Sequence, residues 1–250
     1  MAFEITYSCL SNVGKTRRLN QDNFFCCGKY LELNEVFEEE HHLCGKITSG
    51  KRPLFAVFDG MGGTDEGEVS AYIAAKAAKK VTVRKNGITA LSKYCQSVNT
   101  EICQYTKEKS IVTGTTSAML LFDNHDITLC NIGDSKVFHF FDNKAEQISV
   151  DHLDVCAYNT KPPLLQNLGI SPEEMLIDPY FAVGICNSGD KYLICTDGLT
   201  DMVPLAIIEE TVNSNDIHKA AAVLMERALS FGGKDNVTLI LIEIGNKRIF

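Results

Sequence analysis

The chain has 250 residues, a net charge of −8 and ten cysteines. Its length holds one large core, and no Pro/Ser-rich linker divides it, so residues 1–250 are read as a single domain. The acidic balance, with no basic block longer than Lys15-Thr16-Arg17-Arg18 or Lys247-Arg248, excludes a nucleic-acid footprint, and no apolar run reaches the roughly 18 residues that cross a bilayer.

In chain order, apolar runs of strand length fall at 2–8, 23–28, 54–58, 115–122, 127–132, 136–141, 192–196 and 237–244. Most end in Gly, Asn or Asp turns, and many are joined by short loops, which implies antiparallel pairing. Residues 31–51 are polar, contain Glu38-Glu39-Glu40-His41-His42, and interrupt what would otherwise be a hairpin; a solvated loop is expected there. Three segments have helical spacing: Val69, Ile73, Ala77 and Val81; Leu91, Cys95, Val98, Ile102 and Tyr105; and Ile217, Ala221, Leu224 and Ala228. Two long helices between strands, and another before the final strand, fit helices covering antiparallel sheets, hence an α+β class.

The cysteines lie inside apolar runs (Cys130, Cys186, Cys195) or on candidate helix faces (Cys95, Cys103), and no C-x-x-C pair occurs. They read as reduced thiols used as small apolar side chains. The segment Met1 to Thr6 has no charged leader. A soluble, unexported, cytoplasmic monomer is therefore expected.

Aspartates recur beside glycine-rich turns at the ends of the apolar runs. Asp59 follows Leu54 to Phe58, Asp134 follows Leu129 to Gly133, Asp197 follows Tyr192 to Thr196, and Asp235 immediately precedes the strand beginning at Val237. Carboxylates projecting from neighbouring strand ends would converge, and their repulsion favours protonation or hard divalent cations with oxygen ligands. Glycine at position 60 leaves a carbonyl free to serve as a ligand, and Gly62-Gly63 continue the turn. Arg17 lies five residues before Asp22 and suits bidentate recognition of phosphate. One arginine, several aspartates and hard metals describe phosphoester hydrolysis.

The ordered set R-x-x-N-Q-D, F-D-G-M-G-G, G-T-T, I-G-D-S, T-D-G-L-x-D and G-G-K-D-N-V-T, running from Arg17 to Thr238, resembles the PPM family. These are the type 2C metal-dependent Ser/Thr protein phosphatases, here in their compact bacterial form. The resemblance implies a four-layer α-β-β-α sandwich, two antiparallel β-sheets packed face to face and flanked by helices. It also implies two tightly bound Mn2+ or Mg2+ ions at one sandwich edge, with a weaker third.

In that pattern Asp59 bridges both metals, the Gly60 carbonyl binds one, and Asp197 and Asp235 bind the other. Asp22 is held near them through coordinated water, with Gln21 replacing a glutamate found in some members. Asp134 and Asp201 match the third site, and Arg17 matches the phosphate-holding arginine. Ser135 and Asn236 are explained by turn geometry and hydrogen bonding to the carboxylates.

The resemblance further implies direct attack of a metal-bridging hydroxide on phosphoserine or phosphothreonine. The expected partners are phosphorylated proteins, including a Ser/Thr kinase and its substrates. Members from higher organisms carry a histidine, a candidate proton donor, where this chain has Met61, so metal-bound water must protonate the leaving group. His152 lies in the region of the family's flap, and 152–168 is shorter than usual. Two alternatives remain: a catalytically silent module of the same fold, and a small-molecule metal phosphoesterase. No C-x5-R loop or Walker loop supports a thiol phosphatase or a kinase.

Overall fold

A computed structural model describes residues 2–61, 66–154 and 162–248. Its strands are β1 (Ala2–Asn12), β2 (Asp22–Cys26), β3 (Glu40–Thr48), β4 (Leu54–Met61), β5 (Gly114–Thr115), β6 (Ser117–Asp123), β7 (Asp126–Ile132), β8 (Lys136–Phe141), β9 (Lys144–Gln147), β10 (Tyr180–Ile185), β11 (Lys191–Cys195) and β12 (Val237–Arg248). The helices are α1 (Gly67–Ala78), α2 (Gly87–Lys109), the single turn α3 (Asp197–Thr200), α4 (Leu205–Ser214) and α5 (Ile217–Ser230). One sheet runs β3-β1-β12-β11-β8-β9 and the other β10-β7-β6-β4-β2, with β5 paired to β4. Every pairing is antiparallel.

Alternation along each strand sends side chains to two faces, and both faces of both sheets are apolar over much of their length. Three clusters result, one for each interface of a four-layer sandwich. Between the sheets, Tyr7, Phe55, Phe122 and Tyr192 form a chain of tilted or edge-on ring contacts with centroids 5.2 to 6.0 Å apart. Phe55 is fully buried there, so truncation to alanine costs about 3–5 kcal/mol.

Outside the β1-containing sheet, α5 buries Ile217, Ala220, Ala221, Leu224 and Ala228, a helical stripe against Leu239 and Leu241. Outside the other sheet, α1 contributes Ala71, Ala74, Ala75 and Ala78. These small side chains let α1 approach the sheet closely, while the longer α2 adds Leu91, Val98 and Ile102. Helix starts are set by capping: the Asn86 side chain accepts from Thr89 N at 2.8 Å, and that of Asp216 from His218 N and Lys219 N at 3.0 Å each.

The segment 31–51 departs from the expected solvated loop. Residues 40–48 form β3, which pairs along its whole length with β1, from Asn12 opposite Glu40 to Glu4 opposite Thr48. The expected hairpin partners do pair, as β2 with β4, but the chain first crosses to the other sheet and adds an edge strand. An edge strand solvates one margin, so polar residues are tolerated and the apolar alternation that reveals an inner strand is muted. Among the described residues no helix is long and apolar enough to cross a membrane.

Candidate metal centre and phosphate site

One end of the sandwich collects the start of β2, the ends of β4, β7 and β11, and the residues just before β12. Asp22 stands opposite Asp59 in the β2–β4 register, which brings two carboxylates together across a single strand pair. Asp59, Asp134 and Asp197 each offer an oxygen, and these atoms lie within 4.8 Å of one another.

Hydrogen bonds fix the backbone that carries Asp59 and Asp134. Thr116 grips Asp59 at both ends of its peptide unit: Asp59 N donates to Thr116 Oγ1 at 3.0 Å, and Thr116 N donates to the Asp59 carbonyl at 2.9 Å. Thr115 Oγ1 donates to the same carbonyl at 3.0 Å. Thr116 Oγ1 also lies 2.6 Å from Ser135 Oγ, linking β4 to the turn that carries Asp134. That turn is held from outside by His152, whose Nδ1 accepts from Gly133 N at 3.2 Å and whose N donates to the Gly133 carbonyl at 3.1 Å.

Asp22 is buried and accepts from Thr196 Oγ1 at 2.9 Å. Thr196 Oγ1 in turn accepts from Thr238 N at 3.0 Å, and Thr238 Oγ1 lies 2.8 Å from Ser11 Oγ, to which Asn20 Nδ2 donates. This polar chain ties β1, β2, β11 and β12 together behind the carboxylates.

Close backbone approach explains two glycines. A Cβ at Gly60 would fall 2.3 Å from the Gly67 carbonyl oxygen and 2.5 Å from that of Gln21, and one at Gly198 only 1.9 Å from that of Asn236. Any side chain there would push apart the turns that carry Asp59 and Asp197.

The electrostatics follow from this crowding. Burial, opposed by hydrogen bonds from Thr238 and Thr196 and reinforced by Asp235 and Asp197, pushes the Asp22 carboxyl up to about 8. Desolvation first, then the charges of Asp197, Asp22, Asp134 and Asp235, holds Asp59 well above the carboxylate range. Such a set favours protons or cations. Arg17 brings a cation to it, with Nη2 2.9 Å from Asp235 Oδ2.

Of the eight residues expected at the site, Arg17, Asp59, Gly60, Asp134, Asp197 and Asp235 line one cleft of about 210 Å³. Asp22 lies behind that lining. Asp201 is exposed after α3, where its N donates to the Asp197 carbonyl at 2.7 Å, and it is not among the cleft-lining residues. Nor does it cap α4, whose N-cap is Pro204. Met61 lines the cleft, Gly62 and Gly63 lie outside the described residues, and so does 155–161 of the short flap segment.

Sequence reasoning did not assign Thr116 or Thr196 a role, although both belong to quoted motifs; a hydroxyl beside an expected ligand was the available signal. It also gave Asn236 partial partners. The Asn236 N–H does donate to Asp235 Oδ1, but its side chain bonds the backbone of three other residues: Oδ1 accepts from Gln21 N at 2.9 Å, while Nδ2 donates to the carbonyls of Val13 at 2.9 Å and Leu19 at 3.0 Å.

The chain matches a family model and is similar to several known proteins. The family model described as Protein phosphatase 2C matches residues 31–157. The serine/threonine phosphatase stp of Listeria innocua is 28% identical over 92% of this chain and 92% of its own. Among solved structures, the catalytic domain of the serine threonine protein phosphatase PstP, in complex with two manganese ions, has a TM-score of 0.79 at 24% identity, covering 98% of this chain and 100% of that one. The PPM Ser-Thr phosphatase MsPP from Mycobacterium smegmatis, in complex with cacodylate, has a TM-score of 0.75 at 25% identity, covering 96% and 98%.

Proposed function

The chain belongs to the protein phosphatase 2C family, and from that premise we propose how its cleft works: as a metal-dependent serine/threonine phosphatase acting on phosphorylated proteins, within a single catalytic domain. The observation that carries this reading is the convergence of Asp59, Asp134 and Asp197, their oxygens within 4.8 Å, beside an arginine. Oxygen-only donors on rigid strand ends, two of them with protons held unusually tightly, fit hard divalent cations.

In the assignment we favour, Asp59, the Gly60 carbonyl, Asp197 and Asp235 would hold a pair of Mn2+ or Mg2+ ions. Asp22 would sit behind that pair, and Asp134 and Asp201 would serve a weaker third. Such ions, when bound, supply an activated water and concentrated positive charge for the attacked phosphate.

The chain's own residues do the rest. Thr115 and Thr116 hold Asp59 rigid, so its carboxylate need not reorganise during turnover. Arg17, tethered to Asp235 at the rim, can swing a planar fork of donors onto a phosphate while staying within reach of the carboxylates. Met61 donates no proton, and among the described residues the cleft lining contains no histidine or lysine.

The cleft, at about 210 Å³, is smaller than pockets that engulf a metabolite. That supports a phosphate presented on a protein surface over a small-molecule phosphoesterase, and the complete carboxylate set argues against a silent module. A Ser/Thr kinase and its substrates in the cytoplasm are the partners we infer. Phosphate release from a phosphothreonine peptide, assayed with Mn2+ and with chelator, tests the reading. Release that is absent under both conditions, or unaffected by chelator, would overturn it.

A further inference from the structure

Between Val69 and Thr100 the chain has six lysines and arginines and no carboxylate. With a net charge of −8 overall, the remaining residues therefore carry −14. Lys76 and Lys79 lie over the rings of Tyr72 and Tyr30. The other four, Lys80, Arg84, Lys85 and Lys93, are exposed along a groove of about 750 Å³ between the carboxyl end of α1 and the amino-terminal half of α2. None of these four is ion-paired with a carboxylate among the described residues. Glu101 is the acidic residue on the groove wall. A concavity dominated by one sign of charge, here four cations to one carboxylate, focuses its field outward and raises the local concentration of the opposite charge.

We propose that this groove docks an acidic segment of a partner protein. Charge complementarity supports that occupant, with the four cations meeting carboxylates or phosphates while Val81 and Ala90 in the groove wall accept aliphatic stems. The concave shape receives a chain better than a flat bilayer does, and the strongly negative remainder of the molecule repels a longer polyanion.

The groove is also remote from the carboxylate cleft. Helix α1 starts at Gly67 beside Gly60, and its 12 residues rise about 18 Å to Ala78. A segment bridging the two sites needs at least about six extended residues. On the phosphatase reading, from which this second part follows, the groove selects substrates whose acidic stretch is separated from the phosphorylated residue.

Fluorescence anisotropy of a labelled, unphosphorylated oligoglutamate peptide, titrated with the full chain in chelator at low salt, tests docking without catalysis. Saturable binding is expected, weakening with added salt and falling at least about tenfold in Lys80→Glu/Arg84→Glu/Lys93→Glu. The neutral set Lys80→Gln/Arg84→Gln/Lys93→Gln, which removes charge without adding repulsion, should give an intermediate loss and serves if the reversed variant does not fold. Equal binding by wild type and a folded variant overturns the proposal. So does binding to phosphatidylserine vesicles without binding to the peptide.

For phosphothreonine peptides with and without a distant glutamate tract, the tract should lower KM in wild type and not in the variant. Turnover of p-nitrophenyl phosphate should match in both proteins. Intact anisotropy with no phosphatase activity would leave docking standing and remove the phosphatase reading; lost anisotropy with intact activity would do the reverse.

Discussion

Asn236 is buried, and its side chain makes three hydrogen bonds to backbone groups of the loop between β1 and β2. Asn236→Ala removes all three and leaves Gln21 N and the carbonyls of Val13 and Leu19, all half-buried, without that partner. At a net 0.5–1.5 kcal/mol per bond, plus desolvation of groups left unpaired, the loss comes to about 3–5 kcal/mol. For a chain of this size that lowers Tm by roughly 10 °C.

The measurement is urea unfolding of wild type and variant in excess chelator, because any bound cation would add linked stability of its own. Asn236→Asp sharpens the test. It keeps an acceptor for Gln21 N but turns a carboxylate oxygen toward two carbonyl oxygens, so it should lose at least as much as two of the three bonds. A loss under about 1 kcal/mol in Asn236→Ala would refute the claim that this amide staples the loop that carries Arg17 and leads into Asp22.

Asp59→Ala or Asp235→Ala should nearly abolish turnover and weaken Mn2+ binding, and calorimetry finding two tight sites undisturbed in Asp59→Ala would contradict the ligand assignment. Arg17→Ala should raise KM about tenfold or more while Arg18→Ala, exposed on the same loop, stays neutral; an unchanged kcat/KM for Arg17→Ala rejects the phosphate-holding role. In chelator, the Asp22 carboxyl, held up to about 8 from an ordinary 3.8, makes the folded state bind the extra proton. Its stabilisation is present below about pH 4 and is lost as pH rises toward 8, by at most about 1.4 kcal/mol per pH unit; chemical unfolding across that range should show a slope that Asp22→Asn reduces, the rest coming from Asp59. Asp134→Ala and Asp201→Ala should leave the tight pair intact and reduce turnover, and full activity of both at saturating Mn2+ excludes a working third ion.

The layered architecture was legible because inner strands such as 54–58 and 127–132 are apolar on both faces, and because α1, α2 and α5 keep a buried stripe at helical spacing. The carboxylates of the cleft were legible for a related reason: a charged residue directly after a continuous apolar run must emerge at a strand end. Where solvent relaxes the pattern, the signal fades. β3, β9 and β10 all lie at sheet edges, and each went unread. Also hidden was everything that depends on which turn meets which: Thr196 reaching Asp22, His152 closing on Gly133, and Asn236 reaching Val13 and Leu19 are contacts between residues far apart in sequence, set by the packing of two sheets.

The pairing of β1 with β12 has a consequence for timing. Asn12 lies opposite Val237, so the first strand made waits for one of the last, and β12 sits between β1 and β11 in the middle of its sheet. At roughly 5–20 residues per second, translation separates those two strands by about 10–50 s. During that interval β1 and β11 have no common neighbour, and neither Asp235 nor Asn236 exists to complete the cleft. Until β12 is made the cleft lacks two of its lining residues, and they arrive together in one late step as that strand slots home.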